Sequence, residues 1–530
     1  KIYKMVCKTA VLGFFFCCVA QCAVVVTPRP GNWIPSKGNS EEGIFASDAG
    51  QFGFAAAFKQ AGLQRIIDSV LPSLVKKITG MSIPGISGEK DSIKYSLSNI
   101  KVESLTYTSV TVDLSKDIAF QATGVSVHVN LDWSYKEKIW PHVPYGSGSA
   151  DASADGSNFK IALGTSVTSD GHLQLAVDTC SVDLGNFKIK IHGSILSWLY
   201  DILIDLFKGT LKSAIQKAVQ SELQSLISNT VNQILNSYSY RYKIDSQTEV
   251  DFTFPAAPKF GSSMMLAGIT GAFESIKDNT PPALPHGADI TNQPVTTRAV
   301  DLFVDQYLPN SGFYTYFKTN RLQGYIYDAQ VPAGFPIRLN TSSWKLLLPE
   351  LYQKYPNQAM RIHFGFQSTA PNVAFAANNA SKFEGTGYAG FQVTTDPTPS
   401  ANSTWIPVFD LGVEGLVGKI EVGFTTTSTD TRLTGDIGKA TFTLSLVNTT
   451  VGPIDVADLN SLIELAVNTI ALPQINKYLH EGVPIPSIKG LTFTSPVLDI
   501  YAGYLRVAAD INYVPPAYIF SPVLHVQGGY

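Results

Sequence analysis

Between Ser194 and Asn236 the chain carries Leu196, Leu199, Leu203, Leu206, Phe207, Leu211, Ile215, Val219, Leu223, Leu226 and Ile227, recurring at steps of three and four. That spacing is the period of a helix with one apolar face. At a rise of ~1.5 Å per residue such a region extends ~60 Å, far beyond the average helix. Gly209 marks a point where it can break. A rod of this length implies an elongated sheet wrapped around it, because its stripe must be covered along its whole length.

The covering surface is written just upstream. SIKYSLSNIKVESLTYTSVTVDL (92–114), ATGVSVHVNLDW (122–133) and NFKIKIHG (186–193) alternate apolar and polar residues, the pattern of strands with one buried face. Ser149 to Asp155 (SADASAD) places alanine at every second position. This reads as a strand whose inner side is trimmed to methyls, leaving room beside a helix or a ligand. Before these strands, Leu63, Ile66, Ile67, Val70, Leu71, Leu74, Val75 and Ile78 form a second helical stripe. Pro72 predicts a kink in it, and Gly80 its end.

From Phe252 to Val295 the chain changes character, and Pro281, Pro282 and Pro285 mark a semi-rigid connector. The plan then repeats: helical pieces at Arg298–Leu308 and Gly312–Lys318, alternating strands, an amphipathic helix over 455–480 and strands over 490–513. Leu459, Leu462, Ile463, Ala466, Val467, Ile470 and Leu479 form the face of that helix, with Gly482 after it. The order of elements describes two related lobes, although the residues of the halves are not visibly alike.

With 530 residues the chain exceeds one core, and two or three domains are expected. Lys1, Lys4 and Lys8 flank the apolar run AVLGFFFCCVA, which is about half of a membrane span, so residues 1–22 read as a signal peptide cleaved after Ala20 or Cys22. Four of five cysteines (Cys7, Cys17, Cys18, Cys22) fall in or beside it; Cys180 is either buried and inert or an intermolecular linker. Sequons at Asn340, Asn379, Asn402 and Asn448 fit a glycosylated, secreted, extracellular chain.

Catalytic signatures are missing. The sequence contains no G-x-S-x-G and no G-x-x-x-x-G-K-[ST], and His480-Glu481 lacks the second histidine of a zincin. His128 and His192 lie in alternating strands as single imidazoles. We expect no catalytic residue, no metal, no cofactor and no nucleic-acid partner.

Two stretches carry a family resemblance: PELYQKYPNQAMRIHFGF (349–366) and DLNSLIELAVNTIALPQINKYLHEGVPIPSIKGLTF from Asp458. NFKIKIHGSILSWLYDILIDLF and NTTVGPIDV add to it, and the order of elements is matched from Gly43 to Tyr513. The chain resembles the bactericidal/permeability-increasing and lipopolysaccharide-binding protein family. The resemblance implies an α+β boomerang: two pseudo-symmetric elongated antiparallel barrels, each wrapped on long helices, joined by a central sheet. Residues 23–42 would be a leader, 43–255 the N-terminal lipid-binding barrel, 256–297 the central sheet and proline linker, 298–513 the C-terminal barrel and 514–530 a tail.

Family members hold acyl chains in apolar pockets, which implies a phospholipid or other two-chain lipid as ligand and a transient membrane or lipid-particle surface as partner. The expected lipid-binding residues are Ile66, Val70, Leu74, Leu203, Phe207, Leu211, Leu462, Ile463, Ala466 and Ile470; plain core packing is the competing reading of each. WSYKEKIW (133–140) reads as a hairpin tip, with Trp133, Tyr135 and Trp140 at a membrane and Lys136 and Lys138 facing phosphates, or with aromatics packed on a neighbouring loop. Ala23 to Phe260 holds 21 basic and 22 acidic residues, so the first lobe is neutral. Neutral or zwitterionic lipids fit that balance better than endotoxin, which polybasic patches attract. Endotoxin recognition and a structural glycoprotein with filled pockets are the alternatives.

Overall fold

The structure, a computed structural model, describes residues 24–26, 52–90, 92–138, 145–193, 197–226, 231–237, 239–426, 431–485 and 490–514. Helix α1 (Gln60–Ile78) leaves the centre of the molecule and stops at Gly80, whose φ of +87° is the left-handed C-terminal geometry that glycine favours. Gly62 lets the helix start against the residue before strand Val300–Asp305: a Cβ there would lie 2.7 Å from the Ala299 carbonyl oxygen.

The first-lobe sheet runs in the order 186–191, 145–167, 118–137, 93–106 and 82–83. Strands 173–183, 109–113 and 86–90 flank it. Strands 118–137 and 145–167 pair from Ile118↔Leu163 to Lys136↔Tyr145, giving the lobe its length. Helix α2 (Ser197–Leu226) lies inside this sheet and continues through Gly209 without interruption, followed by α3 (Asn232–Ser237). The alanine row behaves as its pattern predicts. Ala150, Ala152 and Ala154 are buried in one cluster with Leu203, Phe207 and Leu211 of α2. Methyls on the strand give the helix its close seat.

The central sheet runs in the order 259–261, 264–269, 54–59, 300–305, 504–513 and 491–501. It therefore gathers strands from the start, middle and end of the chain, where the sequence placed it over 256–297 alone and gave 490–513 to the second lobe. The helical piece expected at Arg298–Leu308 is strand Val300–Asp305 followed by α4 (Tyr307–Lys318). All six residues of that strand are buried. A strand covered on both faces shows no alternation, so its apolar run is indistinguishable from a short helix.

The second-lobe sheet runs in the order 323–327, 359–366, 382–394, 406–426, 431–449 and 483–484, with 372–374 and 24–26 flanking. A short helix α5 (Pro349–Lys354) precedes strand 359–366. The single helix expected over 455–480 is α6 (Val456–Ala466), a π-helical segment (Val467–Ala471) and α7 (Leu472–Glu481). Asp455 caps it, accepting from the Ala457 N–H at 2.9 Å.

Among the described residues neither lobe sheet closes strand to strand. In the first lobe, helix side chains cap the flanking strands 109–113 and 173–183 instead. Gln64 of α1 accepts from Val112 N–H (3.0 Å) and donates to Val110 O (2.9 Å). Asn232 of α3 accepts from Leu175 N–H and donates to Leu175 O (2.9 and 2.8 Å). An uncovered edge would invite another chain to pair with it.

Candidate lipid site

The apolar stripes of the two first-lobe helices end in different environments. Leu203, Phe207 and Leu211 of α2 show 0 % exposure and are core. In α1 only Gly62 and Ile78 are buried, and Ile66, Val70 and Leu74 are half-buried together with Leu63, Ile67, Leu71 and Val75. The expected first-lobe set therefore splits into packing residues on α2 and residues on α1 with apolar surface still open to water.

That open surface is continuous with the sheet. Leu63 and Ile67 pack against the cluster of Val112, Leu114, Ile118 and Leu163, beside half-buried Phe120, Leu175 and Val177. Leu74 and Val75 pack against the α2 cluster, and Ile161 touches both clusters. Lys77 of α1 pairs with Glu222 of α2 at 2.8 Å, which ties the helices together near the end of this seam. Apolar side chains held by two helices and a sheet, yet incompletely covered by their own neighbours, are suited to lie against hydrocarbon.

In the second lobe Ile463 is buried beside Leu459, while Leu462, Ala466 and Ile470 are half-buried. Leu462 packs on the second-lobe cluster, and Val467 and Leu416 touch both that cluster and the central one. Here too the stripe combines core residues with partly open ones.

The hairpin-tip reading is corrected. Trp133 and Tyr135 are 2 % and 4 % exposed, inside the lobe. The strand runs on to Glu137, and alternation carries 133 and 135 inward with Val125, Val127, Val129 and Leu131. The Trp133 Nε1–H donates to Ser149 O (2.9 Å) and His192 O (3.1 Å), and Tyr135 stacks on its ring. Both aromatics are thus interior side chains of the lobe, and the Trp133 ring is fixed in part by the backbone of His192, just past the end of strand 186–191. Lys136 and Lys138 are exposed, but Lys138 is bound to Glu89 at 2.6 Å. Trp140 lies outside the described residues. An open cleft of about 540 Å³ beside these strands has Tyr95 and Tyr135 together with Glu89, Lys94, Ser134 and Lys136 in its wall, a lining that mixes aromatic and charged groups.

Asn379, Asn402 and Asn448 are exposed; Asn340 is half-buried, its Oδ1 accepting from the Ser343 N–H at 3.0 Å. Cys180 is half-buried against the α2 cluster, and burial pushes its thiol pKa up, away from the reactive thiolate. His192 Nε2 lies 2.8 Å from Asp151, an exposed pair on the outer face.

One polar group escaped sequence reasoning. Arg241 bridges Glu249 (3.1 Å), Asp251 (3.0 Å) and Glu274, three carboxylates almost wholly buried around one guanidinium. Burial, with Asp251 and Glu249 adding repulsion, outweighs Arg241 and pushes the Glu274 carboxyl up to about 7. Among the described residues no group of three or more side chains is arranged to hold a metal ion, and no helix is long and apolar enough to cross a membrane.

Comparison with known proteins gives the fold a context. The C-terminal domain model of the LBP / BPI / CETP family matches residues 242–513, and its N-terminal domain model matches residues 59–237. The chain is 24 % identical over 455 residues to the bactericidal permeability-increasing protein of Sebastes schlegelii, covering 84 % of this chain and 91 % of that one. It is 20 % identical to the phospholipid transfer protein of Mus musculus, covering 86 % and 88 %. A crystal structure of lipopolysaccharide binding protein superposes with a TM-score of 0.54 at 18 % identity, covering 88 % of this chain and all of that one.

Proposed function

The chain belongs to the LBP / BPI / CETP family, and from that premise we propose that it is a secreted protein that binds a two-chain lipid non-covalently and shuttles it between membrane or lipid-particle surfaces. The observation that carries this reading is the half-open apolar face of α1, from Leu63 to Val75, set against the fully buried face of α2. A helix needed only for packing would be covered as α2 is.

The energetics suffice without a polar anchor. At ~0.8 kcal/mol per buried CH2, a chain of about sixteen carbons offers on the order of 12 kcal/mol before the costs of association. The neutral first lobe supports a zwitterionic headgroup over an anionic one, since its 21 basic residues meet 22 acidic ones. This function needs no reactive group, which agrees with the absence of a catalytic motif from the sequence.

Titration with fluorescent phosphatidylcholine and with lipopolysaccharide, each at low and high salt, tests the choice of ligand. Saturable, salt-insensitive binding of phosphatidylcholine is expected. Tight, salt-sensitive binding of lipopolysaccharide alone would replace this reading with endotoxin recognition.

A further inference from the structure

In the second lobe, strand Val483–Pro484 pairs with only Arg432 and Leu433 of strand Thr431–Thr449. Further along the same strand edge, two asparagines stand in for a partner strand. Asn476 accepts from Ile437 N–H and donates to Ile437 O, both at 2.8 Å. Asn468 does the same for Ala440 at 2.9 and 3.2 Å. Each carboxamide reproduces the two-bond exchange of an antiparallel ladder.

Both partners deviate from regularity to allow this. Eight residues along a straight α-helix would leave the two asparagines about 80° apart. The π-helical segment Val467–Ala471 turns less per residue and brings both onto the strand. The strand answers with a bulge, since Ile437 pairs with Ile420 and Ala440 with Gly418. Between the two clasps helix and strand part, leaving a cleft of about 210 Å³ with Ile437, Leu472 and Pro473 as apolar walls, Gly438 and Lys439 on the strand side and the asparagines as its ends; the Lys439 ammonium is held by Glu464 at 2.8 Å. Ile437 and Leu472 belong to the central apolar cluster, and neighbouring Val467 joins that cluster to the second-lobe one.

We propose that this cleft is the mouth through which one acyl chain enters the second lobe, with Asn468 and Asn476 as releasable clasps. The inference rests on the lipid-binding function above and assigns its point of entry. An apolar wall set over the junction of two apolar clusters fits a hydrocarbon chain. The clasps fit a gate: water can replace each of the four hydrogen bonds that they make to the strand when helix and strand separate, while Asn468 keeps its bond to Glu464 O within the helix; a paired strand would have to unzip along its length. Pro473, which has no N–H, and the π-turns leave this stretch with less regular backbone bonding than an α-helix, so it can yield locally.

The test is the rate at which pyrene-labelled phosphatidylcholine moves from vesicles into the full chain. Asn468→Ala with Asn476→Ala should raise that rate at least fivefold while changing the lipid held at saturation less than twofold. Asn310→Ala is the control: Asn310 pairs with Val373 N–H and O in the same manner (2.6 and 3.0 Å) but lies outside the cleft, and its rate should stay at wild type. Hydrogen exchange of the Ile437 and Ala440 amides in the unmodified chain should proceed at least as fast as lipid transfer. Equal rates in the double variant and the control, with lipid still bound, would overturn the mouth and leave lipid binding standing. No uptake by the unmodified chain would overturn both. Should the double variant not fold, amides that exchange more slowly than lipid moves would still overturn the mouth.

Discussion

The Trp133 ring lies 6.4 Å from the Phe207 ring, so the aromatic that sequence reading placed at a membrane surface instead packs against the long helix of the first lobe. Its contribution is therefore to stability. We expect Trp133→Ala to cost about 3–5 kcal/mol, the usual range for emptying a large buried site. Chemical denaturation measures this, and a variant as stable as the parent but detached from liposomes would restore the surface role.

Half-open residues on α1 should behave in the opposite way. Val70→Asn and Leu74→Asn should each weaken lipid binding about tenfold, the equivalent of ~1.4 kcal/mol. Their stability cost should be about 1 kcal/mol, because part of each side chain already meets water. Phe207→Ala should cost about 3–5 kcal/mol instead. Lipid titration paired with urea unfolding separates the two classes.

The alanine row makes a steric prediction. Ala152 is 3 % exposed and shares a cluster with Phe207 and Leu211. Ala152→Leu should destabilise by about 1–3 kcal/mol through overpacking, and Ser149→Val, on the exposed side of the same strand, by less than about 0.5 kcal/mol. Equal melting temperatures for the two variants would mean that the methyl row does not seat the helix.

Glu274 predicts a pH dependence with a defined sign. Its folded pKa is raised to about 7, so the native state keeps a proton that the unfolded chain releases above about pH 4.5. That stability is fully present below about pH 4.5 and is lost as pH rises towards 7 and beyond. Between pH 5 and 8 the group should account for a loss of order 2 kcal/mol, and Glu274→Gln should remove that loss. Urea midpoints at the two pH values provide the comparison.

Much of this architecture was legible because periodicity reports which side of an element is covered. The α2 stripe, the alternating strands and the alanines at 150, 152 and 154 all followed from it. Trp133 is legible too: counting by twos from Val125 reaches it on the inner face, because the strand continues to Glu137 through the aromatic stretch that resembles a hairpin tip. Strand Val300–Asp305 was not legible, since burial on both faces erases alternation. The edge-covering asparagines carried no signal, because a polar residue on a helix looks the same whether it meets water or a strand edge distant in sequence. Nor could α1 be told from α2, for both stripes are equally apolar and only tertiary neighbours decide which remains open.

Native mass spectrometry of the purified chain, with extraction and identification of whatever travels with it, bears most directly on the claim that apolar surface beside α1 receives hydrocarbon. The account predicts at least one two-chain lipid per chain, retained through purification and displaced by added phosphatidylcholine. A chain that emerges with no lipid mass attached and takes up no lipid from vesicles would contradict it.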